Sequence, residues 1–277
     1  MPVDQRPKAG LEITSLTNAR VRQLVALRRR RIRERTAVTL IEGCEELDLA
    51  LSAGVCPYAL YYCPELVDGD APGMVDRVAH LGAEVVRVSR PVFDKIAYRE
   101  SPDGWLAVVP AVRTDLARLE IGERPTILIC DKVEKPGNLG AILRTADAAG
   151  VAAVIAADSV TDWGNPNVVR ASKGTVFSVP VASAASAEVL QWLTDLPLTL
   201  VATTPDTDVL LTDVDLTGPM AIAVGSEKHG LSAQWLKRAD VKVRIPMFGR
   251  ANSLNVATSA AIVVYEAVRQ RMLAGPP

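Results

Sequence analysis

Little in this sequence points to metal or redox chemistry. Its 277 residues hold four cysteines and two histidines. Cys44, Cys56, Cys63 and Cys130 form no CxxC pair and no disulfide-like framework, and His80 and His229 are the only histidines. No zinc site is expected, and the thiols are expected to be buried and reduced. No apolar run reaches membrane-spanning length and the first residues lack a signal-like apolar region, so a soluble cytoplasmic protein is expected. The absence of GxxxxGK[ST] leaves a P-loop nucleotide hydrolase unsupported, and no GxGxxG follows a strand to mark a dinucleotide fold. Excess charge is missing too. The formal net charge is −1, which argues against a uniformly basic nucleic-acid binder and requires any RNA contact to come from local clustering.

That clustering lies near the start. After the leader MPVDQRPKAG, which reads as disordered, TNARVRQLVALRRRRIRER carries Val21, Leu24, Val25 and Ile32 near helical spacing, with Thr17 or Asn18 as the cap. One basic helix is expected over this stretch. Arg20, Arg22, Arg28, Arg29, Arg30, Arg31, Arg33 and Arg35 lie in or beside it, with Glu34 the one acidic residue inside the run. Guanidinium groups engage phosphates through forked hydrogen bonds, so Arg28, Arg29, Arg30 and Arg31 are the candidate RNA contacts. The competing reading is a solvated helix face paired with acidic neighbours.

With 49% hydrophobic residues the chain can bury one good core or two modest ones, and its length favours two domains. Residues 1–38 read as a basic extension. Residues 39–110 alternate helix and strand (IEGCEELDLALSAG, ALYYC, APGMVDRVAHLG, EVVRVS, GWLAVVP) and suggest a small α/β domain. Tyr58, Tyr61, Tyr62 and Tyr98 in this part read first as core aromatics, with stacking on unpaired bases the functional alternative. Residues 111–124 are charged, poor in strand pattern and end at Pro125, which marks an interdomain linker. From 125 to 277 the apolar runs TILIC, AAVIAA, LTLVAT, MAIAVG and VKVRIPM read as buried parallel strands between helices.

Three segments of the second half sit at the C-terminal ends of such strands, the edge where open α/β sheets bind ligands. The first is NLGAILRTADAAG, Asn138 to Gly150. The second is GSEKHGL, Gly225 to Leu231. The third is IPMFGRANSLNVA, Ile245 to Ala257, in which Ile245 and Met247 close a strand, a polar loop follows, and Asn255 opens a helix. In this order and spacing they resemble the three signature motifs of the SpoU (TrmH) family of RNA 2′-O-ribose methyltransferases, a branch of the SPOUT superfamily.

The resemblance implies an α/β fold in which a knotted (trefoil) parallel-sheet catalytic domain follows a smaller L30e-like α/β domain. It implies S-adenosyl-L-methionine as cofactor, with Gly225, Ile245, Ser253 and Leu254 around it, and Asn138, Arg144, Glu227, Ser253 and Asn255 as the catalytic set. No metal and no membrane enter this reading. Arg144 is the expected central residue. A guanidinium is essentially never neutral, so its expected part is to hold a phosphate beside the target ribose and stabilise developing alkoxide charge. Ribosomal RNA of the large subunit is the expected substrate and transfer RNA the alternative, with antibiotic resistance one biological setting. The family resemblance also implies a homodimer that lends Arg144 across the interface; in the sequence, the small-residue face of the last helix (Ala257, Ala260, Ala261, Val264) suits close packing, with a buried core face the alternative. A non-catalytic RNA-binding protein that keeps the fold is the competing class.

Overall fold

Apolar runs of four to six residues, bounded by turn residues, form the strands. The computed structural model describes residues 11–68 and 71–275, and the leader MPVDQRPKAG lies outside them. The chain divides into two units. The first takes in the chain up to Val112 together with Gly164–Arg170, and the second takes in Arg113–Trp163 and the chain from Ala171 onward.

In the first unit the elements run β1 (Leu11–Ile13), α1 (Ala19–Ala26), α2 (Arg30–Thr36), β2 (Val38–Glu42), α3 (Cys44–Ser52), β3 (Ala59–Tyr62), α4 (Ala71–His80), β4 (Glu84–Val88), α5 (Arg90–Ile96) and β5 (Trp105–Pro110). The sheet order is β1-β4-β3-β5-β2, with β5 antiparallel to both its neighbours and the other pairings parallel. Leu40, Val86, Phe93, Ile96 and Leu106 are fully buried in its core. Ile41 to Gly43, expected to open a helix, instead end β2 and turn into α3. Gly43 takes φ +120°, and a Cβ there would run into Glu46 and Arg99.

The single basic helix expected over the arginines is two helices. Asn18 caps α1 as expected, accepting from the Arg20 amide at 2.8 Å, but the helix ends at Leu27 and Arg29 is extended. Arg33 is the physical reason the break is tolerated. It is 4% exposed and donates to the carbonyls of Leu27 (2.9 Å) and Arg28 (3.1 Å), the groups a helix terminus leaves without partners. Arg28 turns its guanidinium to the carbonyls of Ala97 (2.8 Å) and Lys95 (3.1 Å) and over the Tyr98 ring at 5.3 Å. Arg20 pairs with Glu84 and Arg30 with Glu34. The expectation that Arg28 to Arg31 form one set is corrected to this extent: Arg28 and Arg33 hold the fold, while Arg22, Arg29, Arg31 and Arg35 are exposed. Tyr61 is core, Tyr62 stacks on Trp105, and Tyr58 is exposed.

The second unit runs β6 (Thr126–Asp131), α6 (Pro136–Ala148), β7 (Ala153–Ala157), α7 (Pro166–Ala171, largely within the first unit's segment), β8 (Val181–Ala184), α8 (Ser186–Thr194), β9 (Thr199–Thr203), β10 (Met220–Gly225), α9 (Ala233–Arg238), β11 (Val241–Val243) and α10 (Val256–Ala274). Its six strands are all parallel in the order β11-β9-β10-β6-β7-β8. Ile127, Leu128 and Ile129 of β6 and Ala221, Ile222 and Ala223 of β10 are fully buried, as expected for strands covered on both faces. β1 and β8 are too short and too mixed in pattern to stand out in the sequence.

Three further expectations change. The strand VKVRIPM stops at Val243, so Ile245 and Met247 lie in the loop beyond it. The charged stretch 111–124 is laid against the second core through Leu116, Leu119 and Ile121, and the Ser183 amide donates to Thr114 O at 2.9 Å. Within the last helix Ala260 and Val264 belong to the buried face of their own chain, while Ala257 and Ala261 are half-buried. Its exposed face carries Ile262, Tyr265 (47% exposed), Met272 (78%) and Leu273 (75%). Of the cysteines, Cys63 and Cys130 are buried while Cys56 is exposed, and burial pushes the Cys130 thiol up to about 12. Among the described residues no helix is long and apolar enough to cross a membrane.

Candidate active site

Three strands of the second unit end side by side, β9, β10 and β6, and the loops that leave them build one site. β10 ends at Gly225, and the chain turns back at once: the Gly230 amide donates to Ser226 O at 2.9 Å, and Gly230 takes φ +64°. A Cβ on Gly225 would fall on the carbonyl carbon of Gly230 and the amide of Leu231. The missing side chain is therefore required by the return of its own loop.

Asp131, at the end of β6 and in register with Gly225, is fully buried and accepts from the Ser232 amide at 2.7 Å and from Ser186 Oγ at 3.4 Å. It ties the far end of the turn to the sheet. Nothing in the motifs singled it out; an aspartate closing the run TILIC was the available signal.

α6 opens beside this turn. Asn138, in its first turn, donates from Nδ2 to Glu227 Oε1, and Asn255 Nδ2 donates to Asn138 Oδ1 at 3.1 Å. Asn255 Oδ1 in turn accepts from the Ala257 amide at 3.0 Å and caps α10. The chain has one polarity. An ionised carboxylate only accepts, so Asn138 must present its NH2 to Glu227 and its oxygen to Asn255, whose own oxygen faces the helix terminus. One residue from each of the three motifs is thus joined in a fixed orientation. Lys135 Nζ lies 3.8 Å from Glu227 Oε1, a cation in the place of an N-cap that has no side-chain hydrogen bond.

Glu227 also borders a cavity of about 410 Å³. Val224, Leu231, Val243, Ile245, Leu254 and Val256 give it apolar walls, and Gly225, Glu227, Asn252 and Ser253 add polar groups. All four residues expected around the cofactor, Gly225, Ile245, Ser253 and Leu254, line it. A further wall, Thr203 to Asp206 after β9, was not foreseen; its signal was the end of the apolar run LTLVAT. Volume and lining suit a nucleoside-sized ligand, since such sites are mostly apolar with a few placed polar groups. Ser253 Oγ lies 3.3 Å from Asn252 Oδ1.

Arg144 stands apart. It is exposed on α6 and does not line the cavity. Six residues along a helix is about 9 Å of rise and about 240° of turn, so it does not share the face of Asn138. The structure joins Asn138, Glu227 and Asn255, places Ser253 at the cavity, and leaves Arg144 outside. Among the described residues no group of three or more metal-ligating side chains comes together.

Residues 125–265 match the SpoU rRNA Methylase family and residues 18–107 match the MRM3-like substrate binding domain. The chain is 33% identical to the 23S rRNA (uridine(2479)-2′-O)-methyltransferase of Streptomyces viridochromogenes over 279 residues, covering 97% of this chain and 95% of that one. Among solved structures, the AdoMet-bound rRNA methyltransferase from Sinorhizobium meliloti superposes with a TM-score of 0.85 at 32% identity, covering 93% of this chain and 97% of that one. The SpoU methyltransferase AviRb from Streptomyces viridochromogenes in complex with the cofactor AdoMet gives 0.82 at 32% identity, covering 92% and 98%.

Proposed function

The chain belongs to the SpoU rRNA methylase family, and from that premise we propose that it is an S-adenosylmethionine-dependent enzyme that methylates a ribose 2′-hydroxyl in 23S ribosomal RNA. The observation that carries this reading is the junction of a nucleoside-sized cavity with the Asn138, Glu227 and Asn255 relay. Bound in that cavity, S-adenosylmethionine supplies an electrophilic methyl group. The residues of the chain do the rest.

Val224, Ile245 and Leu254 would offer apolar surface to the adenosyl part, and Gly225 and Ser253 would supply polar contacts. Glu227 has one oxygen committed to Asn138, which leaves Oε2 to accept from a ribose hydroxyl and hold it in line. Asn138 and Asn255 fix the carboxylate rather than react. Arg144 holds the neighbouring phosphate through a forked pair of hydrogen bonds and stabilises the negative charge that grows on the 2′-oxygen, and the proton passes to a phosphate oxygen or a water.

In this reading the active enzyme is a homodimer, and Arg144 serves the partner's cavity. Its exposure and its separation from Asn138 around α6 support this, as does the exposed apolar face of α10 at Ile262, Tyr265, Met272 and Leu273, the kind of surface on which a second chain can pack. The chain leaves β11 at one edge of the sheet and returns through residues 244–255 to α10, packed on α6 and β10. That path fits a trefoil knot, a topology otherwise almost absent from proteins. Arg29 and Arg31 are its RNA contacts in the first unit. Protection of a ribosome against an antibiotic is the finer biological reading, tested by comparing drug susceptibility of cells with and without the gene.

The biochemical test is calorimetry with S-adenosylmethionine followed by transfer of a labelled methyl group to unmodified 23S ribosomal RNA. Binding and transfer are expected together. Binding of RNA without any affinity for S-adenosylmethionine would favour the non-catalytic reading.

A further inference from the structure

The largest aromatic side chains go mainly into the cores: Phe93, Trp105, Trp163 and Trp235 are buried. Among the described residues three aromatics are exposed, Tyr265 at 47%, Tyr58 at 58% and, furthest out, Phe248 at 96%. Unlike Tyr58 and Tyr265, it has no hydroxyl to bond to water, so its ring is held in solvent with no polar compensation. It sits in the loop between β11 and α10, next to Met247, which is itself 39% exposed and lines the cavity. Within the same loop Ile245, Asn252, Ser253 and Leu254 face the cavity. Arg244 and Arg250 lie on either side of Phe248 in the sequence, both exposed, and no acidic residue lies between Val243 and Asn255. An exposed aromatic face on a loop whose charged residues are all cationic is how proteins take single-stranded nucleic acid, by stacking a base and holding its phosphate.

Building on the methyltransferase reading, we infer that Phe248 stacks on an unpaired base at or beside the nucleotide being methylated, with Arg250 on its phosphate. The ring acts as a positioning residue. Because the loop that carries it also walls the cofactor cavity, a base held on Phe248 brings its ribose to the mouth of that cavity. Such recognition selects loops and bulges of RNA over duplex, since only an unpaired base offers a free face.

The test compares wild type, Phe248→Ala, Phe248→Trp and Arg250→Ala on unmodified 23S ribosomal RNA transcribed in vitro and on a fully duplexed RNA. S-adenosylmethionine affinity and assembly mass are measured alongside. Phe248→Ala is expected to weaken 23S RNA binding and raise KM on the order of tenfold or more. Its S-adenosylmethionine affinity, assembly mass and salt dependence stay unchanged, and Phe248→Trp keeps RNA affinity. Arg250→Ala should lower the salt slope by about one. On duplex RNA, wild type and Phe248→Ala should bind alike. The inference is overturned if Phe248→Ala binds 23S RNA as wild type does, or if it changes the assembly mass, which would make the ring a contact with a second copy. RNA affinity is read independently of turnover, so a wild type that binds RNA but transfers no methyl group counts against the methyltransferase reading alone.

Discussion

Gly225 separates a structural demand from a functional one. The family resemblance placed Gly225 beside the cofactor, and the position of Gly230 and Leu231 shows that the turn itself needs the missing side chain. Gly225→Ala is therefore expected to force the 226–231 backbone outward and destabilise the protein by about 1–3 kcal/mol, as overpacking does. The loss should appear in denaturant unfolding without any ligand. Unchanged stability, with weaker S-adenosylmethionine binding only, would return the glycine to the ligand. Asn138, Glu227 and Asn255 were legible as polar residues at strand ends. Their order of donation was not, because it depends on contacts between residues 89 and 117 positions apart. Asp131 was hidden for the same reason: its partners are set by tertiary packing, and an acid at a strand end carries no local pattern.

At the scale of elements, periodicity located the long strands and α10, whose cap at Asn255 was read correctly, but it merged α1 and α2. Helical spacing continues across Leu27 to Arg29, and the break depends on Arg33 folding back onto carbonyls that the sequence does not show to be free. The loop after β11 was misjudged in the opposite sense. Ile245 and Met247 look like strand residues because they are apolar, yet their surface is spent on the cavity. The arginine cluster gives the prediction at this scale. Arg29→Ala and Arg31→Ala should each reduce the salt dependence of RNA binding by about one phosphate's worth while stability is kept. Arg28→Ala should cost about 1 kcal/mol of stability, since its hydrogen bonds to Lys95 and Ala97 are partly open to water. Salt titrations and unfolding curves of the three variants distinguish the two roles. Salt slopes equal to that of wild type in all of them would remove the basic segment from RNA binding.

For the whole molecule, the account needs two chains for each working site. Two inactive variants test this: Arg144→Ala, and Ser259→Trp to fill the cavity from the first turn of α10. Ser259 replaces Gly225 as the blocking position because a side chain at Gly225 damages its own loop. Each variant is first shown to fold, and Ser259→Trp to have lost S-adenosylmethionine binding. If arginine and cavity come from different chains, every mixed dimer holds one intact site. Random exchange makes about half the dimers mixed, so activity should recover to roughly a quarter of wild type. Verified exchange without recovery would place Arg144 and cavity in one chain.

The most direct measurement of the central claim maps ribose methylation across 23S ribosomal RNA after incubation with S-adenosylmethionine and either the wild-type protein or Arg144→Ala. The account predicts a discrete 2′-O-methylated position with wild type. Arg144→Ala should slow its formation by about 10²–10³-fold, the usual cost of losing a donor that stabilises a developing oxyanion, with S-adenosylmethionine affinity unaltered. A wild-type protein that binds S-adenosylmethionine yet leaves every ribose of the 23S RNA unmodified would contradict it.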